Sequence, residues 1–168
     1  MLCGAPDPVE ITFIADVRPS STDTEPELAQ GNQAEPKISG PYRHYTVTFI
    51  TNPKDLKCDV TPDGKHHCDM EFLTFVHDDA SVLINTQMNG INVALSPDRY
   101  AAFLKSPLAY RQQISAPVKG EYYLRLGLRD DTADHVGALE LPIASAAKLP
   151  PASAQVPMPG SGSRTAPK

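Results

Sequence analysis

Apolar residues recur along this chain with a period of two, in short segments separated by turn-forming residues. The clearest case is Gly120-Glu-Tyr-Tyr-Leu-Arg-Leu-Gly-Leu-Arg-Asp130. Tyr122, Leu124, Leu126 and Leu128 line one face of an extended segment, and Tyr123, Arg125, Gly127 and Arg129 line the other. That alternation predicts a half-buried strand. Arg125 and Arg129 are then expected to lie over neighbouring side chains with their charged heads in water, and Gly120 to turn the chain tightly into the strand. Tyr42–Ile50 repeats the pattern, with Tyr45, Val47 and Phe49 opposed to His44, Thr46 and Thr48. Val9–Asp16 sets Val9, Ile11 and Phe13 against Glu10 and Thr12. His67–His77 is apolar on both faces, Met70, Phe72 and Val76 against Leu73 and Phe75, which predicts a position near a sheet centre or beneath another layer.

Shorter strands are predicted at Leu56–Val60, at Ser81–Thr86 (broken by Met88-Asn-Gly90), at Leu108–Ile114 and at His135–Ile143, where Gly137 allows close approach opposite an aromatic ring. Ser96-Pro97-Asp98 starts the one helical signal. Ser96 suits the N-cap, Pro97 the first helical position and Asp98 the positive helix end. Tyr100, Phe103 and Leu104 fall on one side of this short helix, and Pro107 ends it.

Seven or eight strands with frequent turns and one brief helix predict an all-β fold, an immunoglobulin-like or fibronectin-like antiparallel β-sandwich. Phe13, Phe49, Phe72, Tyr122, Leu124 and Leu126 are its expected core, and Gly64, Gly120 and Gly137 its special backbone positions. Nothing supplies the crossover helices of a parallel α/β sheet. The sandwich is expected over residues 9–143, interrupted by a long mobile loop at 18–40 that has almost no apolar content. Residues 144–168 read as a disordered Pro/Ser/Gly-rich tail. Residues 1–8 read as the frayed edge of a longer protein, because Pro6, Asp7 and Pro8 interrupt any leader pattern.

Composition narrows the partners. The 17 prolines and 10 glycines suit strands and turns better than long helices. A net charge of −5 disfavours a phosphate-backbone binder, which needs a basic surface. No apolar stretch is long enough to span a bilayer.

Candidate chemistry concentrates at Cys58, His66, His67 and Cys68, around the turn Thr61-Pro-Asp-Gly64. Zinc accepts such ligands, but adjacent histidines point to opposite faces of a strand and a fourth ligand is not evident. A disulfide is the other reading. With a three-residue loop at 62–64, Cys58 falls opposite Cys68; with a two-residue Asp63-Gly64 turn, Asp59 takes that place. Asp78, Asp79, Asp130, Asp131 and Asp134 could hold calcium between loops, yet they lack the glycine and terminal glutamate of a helix–loop–helix site. No nucleophile elbow or phosphate-binding glycine loop occurs. No catalytic residue, cofactor or metal is therefore assigned.

Tyr42-Arg-His-Tyr, His67-Cys-Asp-Met-Glu-Phe, Ala94-Leu-Ser-Pro-Asp-Arg-Tyr, Gly120–Asp130 and Val136-Gly-Ala-Leu-Glu-Leu-Pro142 together resemble the C-terminal β-sandwich region of acidobacterial von Willebrand factor A-related proteins. The similarity spans approximately residues 6–143. The A domain and its Asp-x-Ser-x-Ser metal motif have no counterpart here, so no metal or ligand residue carries over. The resemblance implies an accessory sandwich of an exported protein, periplasmic or secreted, and favours the disulfide accordingly.

These readings point to a non-catalytic structural or protein-interaction module that contacts a neighbouring domain of the parent chain or another protein. The alternative is a carbohydrate- or small-ligand-binding sandwich, with Tyr42, Tyr45, Tyr110, Tyr122 and Tyr123 as stacking platforms.

Overall fold

The computed structural model describes residues 9–152. Two antiparallel sheets pack face to face. The smaller contains β1 (Phe13–Pro19), β3 (Tyr42–Thr51) and β7 (Leu108–Pro117) in the order β1-β3-β7. The larger runs β2 (Gln33–Ala34), β6 (Leu83–Leu95), β5 (His66–Asp78), β8 (Tyr122–Asp130) and β9 (His135–Pro142), with β4 (Asp59–Val60) also paired to β5. Helix α1 (Pro97–Phe103) joins β6 to β7, and the single turn α2 (Ile143–Ala146) follows β9.

Period-two burial builds the core. Tyr45, Val47 and Phe49 of β3 meet Met70, Phe72 and Val76 of β5 and Leu124, Leu126 and Leu128 of β8, all buried. Phe49 sits at the centre, with its ring centroid 5.5 Å from Phe13 and 5.3 Å, edge to face, from Phe72. Tyr110 stacks on the far side of Phe72 at 4.2 Å. Such offset and edge-on contacts suit the ring quadrupoles.

Several sequence expectations need correction. The first strand starts at Phe13 rather than Val9; Val9 is exposed and makes only a bridge to Gly137, while Ile11 is buried. The chain therefore touches the edge of β9 before crossing to the smaller sheet, and one side of the sandwich is closed by its own beginning. Gly137 is required there because a Cβ would fall within the envelope of the Ile11 carbonyl, with the Phe13 ring 3.3 Å away. The expected aromatic neighbour is present, but the tighter constraint is backbone.

Leu56–Val60 is strand only at Asp59–Val60. Met88-Asn-Gly90 does not break its strand; β6 continues for 13 residues. Arg125 does not reach water. It is 2% exposed, within 3.3 Å of Glu140, its directly opposed partner on β9. Burying the guanidinium demands such an oppositely charged neighbour.

The 18–40 segment also differs. Arg18 and Pro19 belong to β1, Gln33–Ala34 adds to β6, and Ala29 is buried. At the other end, α2 extends the ordered fold past residue 143, because Ile143 and Ala146 bury their side chains and Ala152 N–H bonds the Pro19 carbonyl at 2.8 Å. The frayed edge expected at 1–8 and the remainder of the tail, 153–168, lie outside the described residues. So does Cys3.

Candidate functional site

The reactive cluster around Asp63-Gly64 resolves into a hairpin tied by a disulfide. Asp59 pairs with His67 and Val60 with His66, and Thr61 N–H bonds the Lys65 carbonyl at 2.8 Å. This is the three-residue loop, with Gly64 at φ +78° in the left-handed position that such a loop needs. Continuing the register sets Cys58 opposite Cys68, and the two are bonded with their Cα atoms 4.3 Å apart. The histidines part company. His66 stacks on Tyr100 of α1 at 3.8 Å, while His67 bonds the Asn92 side chain at 2.8 Å on the outer face.

The carboxylates considered for calcium serve the turns. Asp130, 1% exposed, accepts backbone N–H bonds from Lys57, Thr132 and Ala133, joining the β8–β9 turn to the segment before β4. Asp131 and Asp134 each pair with Arg129 at 3.1 Å. Asp78 accepts from Ala80 and Val82. Among the described residues, no group of three metal-ligating side chains converges, and no helix is long and apolar enough to cross a membrane.

The tyrosines considered as stacking platforms are largely engaged in packing. Tyr42 and Tyr45 are buried, Tyr110 covers Phe72, and the Tyr122 hydroxyl bonds the Lys119 carbonyl at 3.0 Å. Tyr122 also explains Gly120. That residue has φ +116°, and a Cβ there would lie 2.8–2.9 Å from the Tyr122 ring and hydroxyl.

Sequence reasoning missed the side of the sandwich where β6 faces β7. Cross-strand pairing with Val76, Thr74 and Phe72 turns Asn85, Gln87 and Asn89 inward. These amides form a polar seam. Gln112 of β7 donates to the Thr74 hydroxyl at 2.6 Å and accepts from Asn89 at 3.0 Å. Asn85 donates to the Asn32 side chain and to the Ser115 carbonyl, and Asn32 donates to the Gln113 carbonyl. The Ala29 N–H completes the anchor on the Ser115 hydroxyl at 2.8 Å. A seam with its buried polar groups satisfied can stand in for an apolar core. It fastens the 29–34 segment across one end of this side.

Beyond that fastening, β6 is open. Glu35 N–H bonds the Ile84 carbonyl, so the backbone groups of even-numbered β6 residues point away from β5. β2 covers this edge only at Asn85–Thr86. The same alternation leaves the edge groups of Met88, Gly90, Asn92 and Ala94 without a paired strand among the described residues. The run Gln87-Met-Asn-Gly-Ile-Asn-Val-Ala-Leu95 carries no charge and no proline. Charge, proline and bulges are the devices that ordinarily blunt a sheet edge. Met88, 56% exposed, stands on this run, whereas exposed Val82 and Leu83 lie beyond the stretch that β2 covers.

No protein family, curated protein or solved structure matches this chain in comparisons of sequence and fold.

Proposed function

We propose that this chain is a non-catalytic interaction module that accepts an extended strand of another polypeptide along the free edge of β6. The observation that carries this reading is the backbone edge from Met88 to Ala94, unpaired among the described residues, uncharged and carrying the exposed Met88 side chain. Strand addition takes affinity from main-chain hydrogen bonds and specificity from alternate side-chain positions. Both ends of the described residues lie on the side of the sandwich away from β6, Val9 against β9 and Ala152 against β1. Cys58, Cys68, His67 and Asp130, of residue types suited to chemistry, are engaged in bonds and turns, which supports a binding role over a catalytic one.

The sandwich is of immunoglobulin or fibronectin kind in this reading. β1, β3 and β7 oppose β6, β5, β8 and β9. This departs from the constant-type immunoglobulin arrangement in that the fourth long strand joins the second sheet. A tyrosine at the start of the penultimate strand that bonds back to the preceding turn, here Tyr122 to Lys119, is a hallmark of these sandwiches. The disulfide and the resemblance to von Willebrand factor A-related proteins support a periplasmic or secreted module of a larger protein.

Photo-cross-linking in the exporting cell tests the proposal. A cross-linking residue at position 90, where a side chain meets open space, is expected to give discrete protein adducts that disappear when Met88→Lys and Ala94→Lys charge the edge. A homodimer band would identify the added strand as that of a second copy. Adducts matched by a control cross-linker at exposed Ile14 on β1, or unaffected by the lysines, would refute strand addition.

A further inference from the structure

At the end of the sandwich where β3 and β8 begin, the two sheets part around a cavity of about 360 Å³. The β3 alternation that turns Tyr45, Val47 and Phe49 inward also applies to Arg43, two residues earlier. Its guanidinium lines this mouth together with Tyr45 and Tyr122, and Val118, Ile143 and Ala147 supply apolar walls. An arginine at an inward strand position calls for an acceptor, since burying its donors unmatched is costly. Among the described residues Arg43 forms no ion pair and its buried Nε has no hydrogen-bond partner, while the guanidinium also lies within hydrogen-bonding reach of the Tyr45 phenol.

We propose that this mouth is a receptor for a small carboxylate with an apolar body, held by the Arg43 guanidinium at its inner end. A guanidinium presents Nε–H and one Nη–H as a parallel fork, and a carboxylate accepts both bonds in one plane. Tyr45 sets a second polar group beside that fork. Burial pushes its pKa up against the opposing pull of Arg43, so at neutral pH the phenol keeps its proton and can donate. The walls favour an aliphatic or aromatic body over a second charge. Glu121 also lines the mouth and disfavours a polyanion such as a phosphate ester, whose extra charge has one guanidinium to meet it. The volume lies at the lower end of the range for small-molecule sites. This site does not depend on strand addition at the β6 edge.

Isotope-labelled protein titrated with acetate, butyrate and 3-phenylpropionate, alongside the corresponding amides, tests the assignment by NMR. The Arg43 Nε–H resonance and the Tyr45 and Tyr122 ring signals report on the mouth. The acids are expected to shift Arg43 Nε–H, to bind more tightly as the apolar body grows, and to bind at least about tenfold more tightly than their amides, the ratio given by the loss of about 1.4 kcal/mol. Arg43→Gln is expected to lose the same tenfold while the Leu124–Leu128 core signals stay in place. Should that variant fail to fold, the acid–amide comparison on the native protein decides the matter. A tripeptide with a free C-terminal carboxylate, compared with its amide and with the free acids, separates a polypeptide terminus from a metabolite as the source of the group. Amides that perturb the mouth as strongly as the acids, or acids that leave Arg43 Nε–H unmoved, would overturn the proposal.

Discussion

Opening the Cys58–Cys68 bond should weaken the fold by an amount that its loop length sets. The bonded residues are 10 apart in sequence, and closing such a loop in the unfolded chain removes entropy worth about 2.7 kcal/mol at 25 °C. The native hairpin should change little on reduction. Asp59–His67, Val60–His66 and the Thr61–Lys65 bond hold it independently, so the effect falls on the unfolded state. For a chain of this size, a loss of that magnitude lowers the midpoint of thermal unfolding by about 5–11 °C. Calorimetry of the oxidised protein, the reduced protein and a Cys58→Ala, Cys68→Ala double variant gives the comparison. Reduced and double-variant proteins should unfold close together and well below the oxidised form. Cys68 is 1% exposed, so in a Cys58→Ala variant its thiol should resist alkylation until the chain opens. Equal stability of oxidised and reduced protein, or two reactive thiols in material prepared under oxidising conditions, would refute the reasoning.

Gly137→Ala should cost about 3 kcal/mol, because its Cβ must displace the Ile11 backbone and overpacking has no flexible side chain to yield; urea unfolding, with faster hydrogen exchange at Glu10 N–H, checks it. Asp130→Ala leaves three backbone donors without their acceptor and should cost about 2–4 kcal/mol in the same assay, with Asp130→Asn recovering part of the loss. His77 is buried, and burial pushes its pKa below the ordinary 6.5, against the pull of the Ser81 backbone and the charge of Glu140, while Arg125 reinforces the depression. The unfolded chain therefore binds this proton more readily. Stability should fall as pH drops below about 6.5 and level off once pH passes the folded value, a slope that His77→Phe removes from urea midpoints measured across that window. Asp63 is held down to about 2, first by its bond to Lys65 and then by Thr61, so a carboxyl NMR titration should find it ionised where ordinary aspartates are protonated, and Lys65→Ala should raise it.

The strands with apolar inward positions were legible because burial alone dictates their alternation. Tyr122–Leu128, Tyr45–Phe49 and Met70–Val76 needed no partner to declare which face is inside. The three-residue loop was one of two readings, since Gly64 fits either turn; only pairing of β4 with β5 selected the register that joins Cys58 to Cys68. In sequence β6 reads as broken at Met88-Asn-Gly90, and its amides at 85, 87 and 89 look solvent-facing until Gln112, Thr74 and Ser115 are brought across from other strands. Arg125 reads as water-facing for a related reason, its carboxylate neighbour Glu140 being supplied by the next strand.

Local alternation and turn chemistry thus determined the class of fold, the central strands and the hairpin that carries the cysteines. Tertiary structure alone decided which polar residues are interior, which strand edge is left open and which end of the sandwich holds an inward arginine. The physical reason is that an apolar side chain records its burial in its own chemistry, whereas a polar one is stable inside only through partners distant in sequence.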